Sequence, residues 1–472
     1  MVHEHSLPWA RDARAGTSPR GTVVIPALEA QGARTPRGAG APRYCCDVLP
    51  PTALTLDQID LNAAAFWDLP WDARERAFEL LRNERPMPHF ADPVIEDFPF
   101  EVPEGTGYYA LTRHRDITTA SRHPERFVSG KGAVSLIDLP EEMVEYFSGM
   151  ISTDNPRHTR LRRIVSNAFN PRRVQAIEDS IDRVAREVID EVADAGGCDF
   201  ATDVAAPFPL RIICEMMGVP RSDEDVVLRC SNTILSAGDP EYVGSEGNPV
   251  FAIMEAGATL TSMMEELGAF RIEHPADDIT SALVHSEIEG DALTHQELAS
   301  FFILLVTAGN ETTRTAIAHA AWAFTQFPGQ KELWQEDFEG RAATAVDEIV
   351  RWASPVIWMR RTVSEPTTLS GTELQTGDRV LLFYNSANRD DEVFDDPYRF
   401  DVTRDPNPHL GFGAAGPHFC LGAHLARREI KVIHRELFRR LPDLAATSEP
   451  IRLRSNFVNG IKHLPCTFTS TS

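Results

Sequence analysis

The longest stretch of helical pattern in the chain runs over residues 294–327, an apolar body broken once by Asn310-Glu-Thr-Thr-Arg314. The pattern from residue 52 on is mainly helical as well, so the chain reads as one large α-rich domain. The polar insert carries a cost. Gly309 in a helix interior loses about 1 kcal/mol against alanine, and an acid with two threonines inside an apolar helix adds to it. Such residues persist where a helix passes over a ligand, or where one polar face turns to solvent. Shorter segments with apolar residues at three-to-four spacing, 63–83, 157–169, 174–195, 249–273 and 423–441, predict further helices. Strand patterns are few: 108–111, and 367–371 with 379–384, joined by Thr376-Gly377-Asp378 as a turn. No internal repeat is visible. The expected class is mainly α with a small β region, in a single domain over residues 51–472.

Bulk properties narrow the function. A net charge of −24 opposes a nucleic-acid binder, which would show a basic face. The most apolar run, Phe301 to Val306, is far short of the roughly 20 residues that cross a bilayer, and residues 1–20 hold no signal-peptide core. The seven cysteines are scattered, odd in number and never arranged as C-x-x-C, so neither a disulfide framework nor a thiolate zinc site is indicated. A cytoplasmic protein without a membrane anchor, and a monomer, is expected. Residues 1–44 stand apart, with six arginines, three acids and many Gly, Ala and Pro; they bury little, and residues 1–50 are expected to be a disordered extension.

One loop poses a choice. Residues 411–422 read GFGAAGPHFCLG, whose first six letters spell G-x-G-x-x-G. A dinucleotide site needs a strand before the first glycine and a helix opening at the last. Here Arg404-Asp-Pro-Asn-Pro-His409 precedes, and its prolines oppose a central strand. The alternative starts from Cys420. Small residues let a backbone approach a flat bulky group, and a thiolate just ahead of a helix is stabilised by its amides. On the loop alone, a buried structural cysteine and a thiolate ligand to iron are equally admissible.

Gly416, His418, Cys420 and Gly422 resemble the haem-binding loop of cytochrome P450 monooxygenases. The chain departs from the family pattern once: Phe412 lies eight residues before the cysteine instead of seven. The resemblance continues elsewhere. Ala308-Gly309-Asn310-Glu311-Thr312-Thr313 is similar to the oxygen-activation motif, Glu348-Ile-Val-Arg351 to the E-x-x-R pair, and Pro397-Tyr-Arg399-Phe400 to the segment whose arginine joins that pair. Arg361, and His158 with Arg162 in HTRLR, match positions that meet the haem propionates.

The resemblance implies a helix-rich triangular prism with haem b between the long helix and the Cys420 loop. It implies Cys420 as metal ligand, and Glu311 and Thr312 as the catalytic proton-delivery pair. His158, Arg162, Ala308, Gly309, Arg361, Phe412, Gly413, His418 and Gly422 would contact the cofactor. Glu348, Arg351 and Arg399 would form a structural ion cluster. Leu304, Leu305, Val356, Ile357 and Trp358 would line an apolar substrate pocket. Electrons would come from NAD(P)H through a ferredoxin reductase and a ferredoxin, for which Arg427, Arg428 and Lys431 are docking candidates. Phrases such as AGNETTR, EIVRWASPV and NGIKHLP are similar to the actinobacterial subgroup that oxidises terminal carbons of methyl-branched lipids and cholesterol side chains. The expected reaction is therefore ω-hydroxylation of a lipid or sterol tail. The alternatives are hydroxylation of a polyketide or terpenoid, and a haem-thiolate gas sensor.

Overall fold

The computed structural model describes residues 54–93, 105–168, 171–236, 238–243, 248–286 and 292–471; the expected N-terminal extension over residues 1–50 lies outside them. In chain order the helices that build the site are α1 (Trp71–Glu84), α2 (Arg157–Ala168), α3 (Pro171–Val192), α4 (Pro207–Met217), α5 (Glu224–Leu235), α6 (Pro249–Glu273), α7 (His295–Gln326), α8 (Phe338–Ala353) and α9 (Ala423–Arg440). The long helix is α7. It starts at a capping box, in which the Glu297 amide donates to Thr294 Oγ1 at 3.1 Å and the Thr294 amide to Glu297 Oε2 at 3.0 Å. It stops ahead of Pro328, which opens the next helix.

α7 is buried along most of its length and packs against α4, α5, α6, α8 and α9. Phe302, Ile303, Val306 and Ile317 of α7 share one apolar cluster with Ile181 and Val188 of α3, Phe208 of α4, Leu260 of α6 and Ile433 of α9. Burial of this continuous surface fixes where the polar insert of α7 must sit. The segment expected as one helix over 63–83 is divided at Leu69-Pro70, because proline cannot supply the amide that a continuing helix needs.

A five-stranded sheet lies to one side. Its strands are β1 (His89–Phe90), β2 (Tyr108–Leu111), β3 (Phe127–Val128), β4 (Trp358–Val363) and β5 (Arg379–Phe383), in the spatial order β1-β2-β5-β4-β3. β2 and β5 run parallel; the other neighbours are antiparallel. The expected hairpin of 367–371 with 379–384 is not formed. Thr367–Leu369 turns back onto Thr372–Leu374 instead. Ser370 and Gly371 both take positive φ (46° and 84°), the two-residue turn that matches strand twist. β5 is thereby released to pair with β2 and β4.

Among the described residues no helix is long and apolar enough to cross a membrane.

Candidate active site

The Cys420 loop is folded by its own backbone. The Cys420 amide donates to Phe412 O at 3.0 Å and the Gly413 amide to Leu410 O at 2.9 Å, with Gly413 at φ +80°, a conformation that favours glycine. Two other glycines answer to protein neighbours. A Cβ on Gly411 would stand 2.6 Å from Val350 Cγ1, and one on Gly416 2.4 Å from Ser121 O. Close approach to a flat group is therefore not what fixes Gly411 and Gly416; packing against α8 and the Ser121 backbone is. Cys420 remains at the accessible surface of the loop. Crowding by protein atoms pushes its thiol up, while the Gly422 amide and the charges of Arg162 and Arg427 favour the thiolate.

Beside this loop lies a group of nitrogen donors. The His158 and His418 rings stand 4.2 Å apart. Burial, then Arg361, His158 and Arg162, holds His418 down to about 2, so its ring is neutral. Arg361 is 6% exposed; it donates to the carbonyl of Arg360 at 2.7 Å, and among the described residues no acid forms an ion pair with it. A buried guanidinium without a carboxylate is costly, so this donor set suits an anionic group, as a haem's propionates are. Arg162 takes a second part. It donates to Pro417 O at 3.1 Å and Phe419 O at 2.9 Å, tying α2 to the Cys420 loop. Two arginines, two imidazoles and an accessible thiol on one platform fit a dianionic, iron-bearing group.

On α7, Ala308 is exposed within an otherwise buried run, and Thr312 is half-buried, its hydroxyl donating to Ala308 O at 2.7 Å. Gly309 faces away toward α4, where a Cβ would collide with Ile213 Cδ1 at 2.4 Å, so this glycine serves helix packing. Glu311 is 3% exposed. Burial raises its carboxyl, opposed by Arg314, whose Nη1 stands 3.2 Å from Oε2. Arg314 also donates to Asn232 Oδ1 at 3.2 Å and Tyr242 OH at 3.4 Å. Sequence reasoning missed this support, although the three-residue spacing of Glu311 and Arg314 was visible. Of the five pocket candidates, Leu304, Leu305 and Val356 are half-buried. Ile357 and Trp358 correct the expectation. Each is 2% exposed and packed in a second apolar cluster with Phe78 and Leu381, so neither has surface free to line a pocket.

The ion cluster also differs from expectation. Glu348 and Arg351 pair through two hydrogen bonds of 2.7 and 2.8 Å, with both side chains fully buried. The arginine that joins them is Arg404, with Nε 3.2 Å from Glu348 Oε2. Arg399 contributes only its backbone carbonyl, which accepts from Arg351 at 3.1 Å and Arg404 at 3.0 Å, while its side chain is 58% exposed. The local turn at Asp396–Arg399 points this carbonyl inward and its side chain out. On α9, the docking candidates are engaged: Arg427 with Asp347 at 2.7 Å, Arg428 with Asp182 at 3.0 Å and Lys431 with Glu339 at 2.6 Å.

The model of the family "Cytochrome P450" matches residues 342–452, which contain the Glu348–Arg351 cluster and the Cys420 loop. The chain is 47% identical over 423 residues to a methyl-branched lipid omega-hydroxylase of Mycobacterium tuberculosis, covering 89% of this chain and 97% of that protein. It is 39% identical over 379 residues to a steroid C26-monooxygenase of Mycolicibacterium smegmatis, covering 78% and 87%. A Mycobacterium marinum cytochrome P450 solved in complex with pseudoionone is similar throughout, with a TM-score of 0.82, 41% identity, and coverage of 90% of this chain and 100% of that one. With 47% identity to one relative over 97% of its length and a fold shared over 90% of the chain, the chain belongs to the cytochrome P450 family.

Proposed function

We propose that this P450 monooxygenase hydroxylates the terminal carbon of a methyl-branched lipid or sterol side chain. The observation that carries the reading is the 47% identity to the methyl-branched lipid omega-hydroxylase over 97% of its length. Leu304, Leu305 and Val356, half-buried and apolar, would suit an alkyl chain.

Family membership implies a haem, which supplies oxygen activation once bound. The chain's own residues then have four tasks. Cys420 would hold the metal as a thiolate, which the Gly422 amide and two arginines favour. Arg361, His158 and His418 would hold the cofactor's anionic groups, and Ala308, small and exposed on α7, would leave room for it. Thr312 holds a proton at its hydroxyl, resting on Ala308 O between turnovers. Glu311 would relay protons inward, its carboxyl raised by burial and held in place by Arg314, which Tyr242 and Asn232 support. Electrons are proposed to come from a soluble ferredoxin and its reductase. The residues from 51 onward are read as one catalytic domain.

Two measurements test this. Titration with branched fatty lipids, sterol side-chain analogues and polyketides should give the low-to-high spin shift with the first two classes, and products oxidised at the chain terminus. Products hydroxylated only at internal carbons would overturn the ω assignment. Thr312→Ala is expected to consume NAD(P)H while yielding little product and releasing peroxide; unchanged product per NAD(P)H would remove Thr312 from proton delivery.

A further inference from the structure

Phe412 is linked to Cys420 through the backbone, its carbonyl accepting the Cys420 amide at 3.0 Å. Two side chains stand against its ring and a third links them. Arg427 of α9 lies over it, with Cζ 4.4 Å from the ring centroid. His409 approaches with centroids 5.7 Å apart. Asp347 of α8 joins the two: it accepts from Arg427 Nε at 2.7 Å and stands 3.4 Å from His409 Nε2. The Gly411 amide donates to His409 Nδ1 at 3.1 Å, which leaves the imidazole proton on Nε2, facing Asp347. Although burial alone would raise it, the Asp347 carboxyl is held below its ordinary range by His409 and Arg427, which favours the anion that both partners meet.

We propose that Asp347, His409 and Arg427 are positioning residues that brace Phe412 and, through its carbonyl, fix Cys420 beneath the cofactor. The brace answers the departure noted in the sequence. An aromatic set one residue further from the cysteine has a longer backbone path to it, and side chains of α8 and α9 tie that path to the helical core. Arg427 thereby acquires a task other than partner docking. Its Nε is committed to Asp347 and its plane covers Phe412, the residue whose carbonyl accepts the Cys420 amide, so a fixed positive charge stands beside the cysteine loop. A positive charge on the sulfur side disfavours the more positive, oxidised metal, so it raises the reduction potential.

The inference rests on Cys420 as the iron ligand, and the experiment separates the two. Haem-loaded wild type, Arg427→Gln, Arg427→Lys and Asp347→Asn are compared by midpoint potential and by persistence of the thiolate-type, red-shifted band of the reduced carbonyl adduct in mild denaturant. Arg427→Gln is expected to lower the potential and lose the band several-fold faster. Arg427→Lys should keep the potential near wild type yet still lose the band faster, because it retains charge but not the planar cover. Asp347→Asn should lose the band faster as well. If Arg427 serves docking alone, Arg427→Gln raises the ferredoxin concentration for half-maximal turnover and leaves potential and band at wild-type values, which overturns the brace. A wild-type protein without the thiolate-type band overturns the ligand assignment itself and the brace with it.

Discussion

Glu348→Ala is expected to destabilise the protein by ~3–5 kcal/mol, the usual cost of stranding buried charge. Glu348 accepts five hydrogen bonds: two from Arg351 at 2.7 and 2.8 Å, one from Arg404 at 3.2 Å, one from Asn407 Nδ2 at 3.1 Å and one from the Asp401 amide at 2.8 Å. Removing the carboxylate leaves the fully buried Arg351 guanidinium and its neighbour Arg404 facing each other without an anion. The same cluster grades its arginines. Arg404→Ala keeps the Glu348–Arg351 pair and should cost about 1–3 kcal/mol. Arg399→Ala, at a half-exposed side chain 3.9 Å from Asp401, should fall within about 0.5 kcal/mol of wild type. Urea midpoints and unfolding slopes of the three variants check the order. Equal losses at Arg399 and Arg404 would contradict the assignment of Arg404 to the cluster.

This contrast shows where the sequence was legible. Glu348 and Arg351 lie three apart on one helix, so their pairing follows from helical geometry. Whether Arg399 or Arg404 completes the cluster depends on the path of an irregular segment. That path is set by distant groups: Arg351 Nη1 binds both Asn388 O and Pro397 O at 2.8 Å, and the Val402 amide is held by Gln330 Oε1 at 2.8 Å. No local pattern encodes such contacts. The long helix was legible for the opposite reason, since its capping box, apolar period and terminating proline are all local. The β region failed in between. Ser370-Gly371 and Gly377 are both turn signals, and the shorter closure took the strand that the longer one had been expected to join. β5 then found its partners in β2 and β4, more than two hundred residues and about twenty residues away along the chain.

The site divides in the same way. Cys420, Thr312 and Glu311 could be singled out in the sequence because their motifs are contiguous. The residues that hold them, Arg427 over Phe412 and Tyr242 against Arg314, meet only in the folded chain. Gly309, Gly411 and Gly416 teach a related point. Each stands in a cofactor motif, yet the collision that a side chain would cause is with Ile213, Val350 or Ser121. A motif position next to a cofactor can thus be fixed by the packing of protein against protein.

Glu429, which no motif marks, yields the second large effect. It lies on α9, 2% exposed, against Thr313 of α7. Burial pushes its carboxyl from 4.5 up to about 8, with the Thr313 hydroxyl drawing it partly back. The sign follows from proton linkage. The folded protein keeps a proton that the unfolded chain has already released, so the stabilisation is complete below the ordinary carboxylate range and is lost as pH rises through about 8. Glu429→Gln keeps the shape and a hydrogen-bonding group toward Thr313 but has no charge to bury. It is expected to match wild type near pH 5 and to exceed it by on the order of 3 kcal/mol near pH 9, since a tenfold change in proton affinity is worth ~1.4 kcal/mol before relaxation reduces it. Urea unfolding of both proteins across this range provides the measurement. Parallel stability curves would mean that the carboxyl is ionised in the folded protein at neutral pH. A wild-type curve that falls while the Glu429→Gln curve stays level would place the proton on Glu429, directly behind the polar insert of α7.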